Sequence, residues 1–99
     1  MYRLVKGPTI TRADFDPPCR LDPKRKSTDM CGLCGTSVYT SLAAARRTAE
    51  RYKKLPKEVA VGRLGPHHGL TLVDPDDPEH FDWWIPEGVD PSTDFQMVA

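Results

Sequence analysis

No apolar run in this 99-residue chain reaches the roughly 18 residues that cross a bilayer as a helix, so no membrane partner is expected. Cysteine is scarce. There are three, an odd count, and the opening "MYRLVKGPTITR" has no apolar core of a secretion signal. A disulfide framework is therefore not expected, and the chain reads as a cytoplasmic protein with reduced thiols. Internal repeats and low-complexity stretches are absent. Positive charge is missing from residue 64 onward. All 14 Lys and Arg and six of the acids lie in residues 1–63, a net +8; the remaining eight acids give residues 64–99 a net −8. Such a split marks either a basic face for a ligand or two halves that fold onto one another.

What is abundant is proline, ten residues, which favours turns over long regular elements. The chain is long enough for a single small domain, residues 1–99. "YRLV" (2–5) alternates as a short strand. A long N-terminal loop follows, in which "TRAD" carries the Thr11-to-Asp14 spacing of a helical turn with a capping box. "TSVY" (36–39) reads as a buried strand. Thr40 or Ser41 then caps a helix from about Leu42 to Lys54, with Leu42, Ala45, Ala49 and Tyr52 as its buried stripe. "EVAVGRL" (58–64) and "GLTLVD" (69–74) read as strands joined by "GPHH" into a hairpin. "DPDDPEH" reads as a turn, "FDWWIP" (81–86) as a strand, and "DFQMVA" as a last strand. Trp83 and Trp84 face opposite sides, and Trp83 is expected against the helix alanines. The order predicts an α+β fold: one main helix packed on a bent, mostly antiparallel sheet, with a long N-terminal loop.

Two groups of residues bear on chemistry. Cys31-Gly-Leu-Cys34-Gly has the spacing of a zinc knuckle, and Cys19 with one of His67, His68 or His80 completes a Cys₃His set; His67 is taken as the fourth ligand. The structural alternative is small thiols beside flexible glycines. A redox pair is disfavoured, since a strand and not a helix N-terminus follows.

The second group is the "YR" at the start and "VYTSLAAARRTAE" (38–50). This arrangement resembles the ADP-ribosyltransferase-like fold, and is most similar to the RES-domain toxins of toxin–antitoxin pairs, which consume NAD. It covers Arg3 and residues 35–52. Where RES domains carry a glycine- and tryptophan-containing stretch before the turn, "DMCGLCGTS" stands here, so both an active enzyme and a minimal or degenerate relative fit. The resemblance implies NAD as substrate. It places Arg3 on an early strand to clamp pyrophosphate or amide, Tyr39 against the nicotinamide, and Thr40 or Ser41 at a phosphate. Glu50, eleven residues after Tyr39, is the matched carboxylate, with Glu87 as its substitute. Cleaving the nicotinamide–ribose bond builds positive charge on the ribose, which a carboxylate stabilises.

Each of these residues also has an ordinary role: Arg3 as a strand residue, Tyr39 as core, Thr40 and Ser41 as caps, Glu50 paired with Arg46 or Lys54. The alternative function is a non-enzymatic interaction module. It is zinc-stabilised if the cysteines bind metal, and it engages a protein partner through its Trp-bearing sheet or its charge asymmetry. Nucleic acid is not expected as a partner: Arg46, Arg47, Arg51, Lys53, Lys54 and "KRK" (24–26) belong to no recognisable nucleic-acid-binding motif.

Overall fold

The computed structural model describes residues 1–16 and 35–98. Among them one helix packs on a six-stranded antiparallel sheet, an α+β arrangement. The strands are β1 (Tyr2–Val5), β2 (Thr36–Tyr39), β3 (Glu58–Gly62), β4 (Leu70–Asp74), β5 (Asp77–Trp84) and β6 (Phe95–Met97), and the helix is α1 (Leu42–Arg51). Their order across the sheet is β4-β5-β2-β1-β3-β6. Most of the expected N-terminal loop, residues 17–34, lies outside the described residues. The part that precedes it holds a 3₁₀ turn, Arg12–Phe15, where the Thr11 N–H donates to Asp14 Oδ2 at 2.8 Å, half of the expected capping box.

Alternation along the strands makes two cores. On one face Leu4, Tyr39 and Val59 meet Ala44, Ala45 and Ala49 of α1. The small alanines bring the helix close to the sheet. On the other face Val5, Phe15, Val38, Ala60, Trp83 and Phe95 form a second cluster, with no accessible surface on Trp83, Phe15 or Val5. Phe15 meets Trp83 and Phe95 edge-on, at centroid distances of 6.1 and 5.0 Å. Trp83 is thus a core residue, but on the face away from the helix. The alanine stripe packs on β1, β2 and β3, while Trp83 lies on β5 opposite Thr36.

Helix α1 begins where expected. The Ser41 hydroxyl accepts the Ala44 N–H at 3.1 Å, removing one orphan donor of the first turn. It ends at Arg51, three residues earlier than the sequence pattern suggests. Tyr52 is extended (φ −116°, ψ 99°) and exposed, and the Lys57 ammonium donates to the carbonyls of Ala49 and Tyr52. A cation from beyond the helix therefore serves the C-terminal end in place of Lys53 and Lys54.

Two connections differ from the sequence expectation. "GPHH" does not close a hairpin. β3 pairs with β1 and β6, β4 pairs with β5, and Pro66–His68 is a 3₁₀ turn on the path between opposite sides of the sheet. Gly69 makes that path feasible. Its φ is +103°, and a Cβ there would strike the Trp84 carbonyl. "DPDDPEH" is mostly strand, because the turn is only Pro75-Asp76, closed by the Asp74–Asp77 pair. Pro78 is tolerated because β2 has already passed into the helix cap opposite it, so no ladder donor is lost.

Candidate functional site

The site grows from the splay between β1 and β2. These strands share one paired position, Tyr2 with Tyr39. Arg3 enters the gap: its Nε donates to the Asp14 carbonyl at 3.1 Å and its Nη1 to the Ser37 carbonyl at 2.8 Å. One donor thus meets a β2 carbonyl across the splay and another the Asp14 carbonyl of the 3₁₀ turn. Burial lowers its pKa from the ordinary value, against the opposing influence of Tyr39 and Asp14. Beside the guanidinium is a cavity of about 440 Å³, lined by Arg3, Lys6, Asp14, Asp16, Ser37 and Tyr39 among others.

Tyr39 is the wall between this cavity and a second, of about 600 Å³. The second lies between α1 and the β4–β5 turn. Arg47, Thr48, Arg51 and Tyr52 face Asp74, Asp76, Asp77 and His80 across it. The two oppositely charged parts of the chain meet here, and Arg47 bonds Glu79. The Arg51 guanidinium lies 5.5 Å over the Tyr52 ring. Burial pushes the Tyr39 phenol above its ordinary value; a hydrogen bond to Thr48 and the charge of Arg3 oppose this, and Asp77 adds to it.

The Tyr39 ring stacks on His80, with centroids 5.3 Å apart. His80 is held at both nitrogens: Nδ1 is 2.9 Å from Asp74 Oδ2 and Nε2 is 2.9 Å from Ser37 Oγ. The other carboxylate oxygen of Asp74 accepts the Asp76 N–H at 2.8 Å. These bonds hold the Asp74 carboxyl below the usual carboxylate range, the Asp76 bond first and His80 second.

The residues singled out in the sequence are distributed as follows. Arg3 and Tyr39 share the smaller cavity. Ser41 caps the helix and its hydroxyl donates to Glu79 Oε1 at 3.1 Å. Thr40 is exposed, and its N–H donates to the Glu79 carbonyl at 2.9 Å. Glu50 is exposed on α1 and lines neither cavity, and Glu87 is exposed in the loop after β5. Cys19, Cys31 and Cys34 lie outside the described residues. His67 is exposed and its ring meets that of His68, 3.9 Å between centroids. His67, His68 and Asp94 place ligand atoms within 4.8 Å of one another. However, His68 Nδ1 accepts the Gly65 N–H at 2.8 Å, so Nε2 carries the proton and donates to Asp94 Oδ2 at 3.0 Å. A metal on Nε2 would require this hydrogen bonding to be reversed.

Ser37, Asp74, Asp77 and the bridging position of His80 were not marked by the sequence reading. The signal is present once β5 is started at Asp77, for His80 and Asp82 then alternate on one face with Trp84. No protein-family model, curated protein or solved structure matches the chain.

Proposed function

We propose that this domain binds a nucleotide of the NAD type in the two cavities flanking Tyr39, acting as a small ADP-ribosyltransferase-like or NAD glycohydrolase-type protein. The observation that carries this reading is the placement of cations on both sides of one aromatic ring: Arg3 in the smaller cavity, Arg47 and Arg51 in the larger. A planar heterocycle joined to phosphates needs a ring to stack on and guanidinium groups within reach. The "VYTS" turn into a capped helix supports the same reading by resemblance. A carboxylate for the developing ribose cation comes from Asp77 or Asp76, which line the larger cavity, rather than from the outward-facing Glu50. Nicotinamide release from NAD tests the enzymatic half. Turnover that falls at least 100-fold in Asp77→Asn, with unchanged melting, supports it. A folded protein that releases no nicotinamide contradicts the enzymatic half of the reading.

A second reading rests on β4. Leu70, Leu72 and Val73 are 60, 54 and 49% exposed on an edge strand, and Leu70 pairs directly with half-buried Trp84. An apolar edge of this kind fits a module that adds a partner's strand. It gains weight if NAD does not bind and if Leu72→Lys abolishes association with a partner.

A further inference from the structure

The hydrogen bonds around His80 form a connected chain whose geometry is that of an activated hydroxyl. Asp74 is ionised and accepts only, so His80 Nδ1 donates to it. Nε2 is then the bare nitrogen, and it accepts the Ser37 hydroxyl at 2.9 Å. The order carboxylate, imidazole, serine is that of a nucleophile with its base and the group that orients the base.

Three features show that the chain is built into the fold. A β-bulge interrupts the β4–β5 pairing: Val73 pairs with Phe81, but Asp74 pairs with Asp77. His80 lies in the bulged segment, and such bulges re-aim side chains. The Asp76 N–H fixes the Asp74 carboxylate at the turn. The Tyr39 ring stacks on the imidazole and restrains its rotation. The side chains of His80 and Asp74 are 20 and 28% exposed, sheltered yet open to the larger cavity, while Ser37 opens on the smaller one. Asp82 Oδ1, 3.7 Å from His80 Nε2, adds negative charge where an imidazolium would form. Arg3 Nη1 donates to the Ser37 carbonyl at 2.8 Å, and both residues line the smaller cavity, where the reaction needs a cation for the developing oxyanion.

We propose that Ser37 is a nucleophile toward small esters, with His80 as its base and Asp74 as the residue that positions His80. Ser37 Oγ bonds the acyl carbon while its proton passes to His80 Nε2. The alcohol leaves with that proton. Water, giving a proton to His80, then cleaves the acyl-serine, releases the carboxylic acid and restores Ser37. The proposal shares Arg3, Tyr39 and both cavities with the nucleotide reading but uses neither Arg47 nor Arg51, and an adduct on Ser37 requires no nucleotide to bind.

A fluorophosphonate probe with the full chain, read by intact mass and peptide mapping, tests it. The expected result is one adduct on Ser37, absent in Ser37→Ala and formed about 100-fold more slowly in His80→Gln. Asp74→Asn slows it comparably and Asp74→Glu restores part of the rate, although both variants melt alike. A purely structural aspartate would show no such split. No adduct on Ser37 in the folded protein overturns the proposal, as does equal labelling of folded His80→Gln. If His80→Gln does not fold, Asp74→Asn labelling at the unaltered rate overturns it instead.

Discussion

At the scale of single residues, the chemistry of this domain concentrates on Tyr39. It closes the helix-side core, stacks on His80 and separates two cavities. Its phenol is raised chiefly by burial. The folded state therefore holds this proton more tightly than the unfolded chain. That contribution to stability is complete below the ordinary tyrosine value of 10.0 and is lost as pH climbs through the raised folded value. Urea unfolding across the alkaline range should show a decline that shrinks in Tyr39→Phe. An identical decline in both proteins would contradict the assignment of this proton to Tyr39. Arg3, singled out by resemblance, ties a 3₁₀ turn to a strand in three dimensions. Its bonds to the Ser37 and Asp14 carbonyls depend on the splay of β1 and β2. Splay is a property of strand pairing and has no local sequence signal.

At the scale of elements, the sequence was informative wherever the determinant is local. The strand "YRLV", the turn at Thr11, the strand "TSVY" and the Ser41 cap depend on alternation and on side chains within three residues. Long-range pairing was not legible. Two strands flanking "GPHH" satisfy the local hairpin pattern, yet β3 and β4 lie on opposite sides of β1 in the sheet. Composition also misled at "DPDDPEH", where two prolines and four acids conceal the start of β5. That error removed His80 from the expected sheet and with it the Ser37 contact. The choice of Trp83 over Trp84 as core was sound, since strand alternation settles it, but which face carries the helix depends on the whole topology. Trp83 packs with Phe15 and Phe95, and its indole N–H donates to the His68 carbonyl at 2.7 Å. Trp83→Ala should cost about 3–5 kcal/mol and Trp84→Ala much less. Denaturant midpoints measure both. Equal losses would contradict the division of the sheet into a deeply buried face at Trp83 and a half-buried one at Trp84.

At the scale of the molecule, the separation of charge along the chain becomes a meeting of charges in space. Helix α1 brings Arg47 and Arg51, and the β4–β5 turn brings Asp74, Asp76 and Asp77, to opposite walls of one cavity with Tyr39 at its back. Full neutralisation between the walls would leave nothing for a ligand. Instead Arg47 pairs with Glu79 at the rim and Arg51 lies over Tyr52. Small shifts of these long side chains would free both guanidinium groups for phosphate. Titration calorimetry of NAD into the full chain is the direct test of this account. Saturable binding is predicted, weakened at least tenfold in Tyr39→Leu and in Arg51→Ala, with melting of the Arg51 variant unchanged. Absence of binding, or equal affinity in folded Arg51→Ala and Tyr39→Leu, would contradict it.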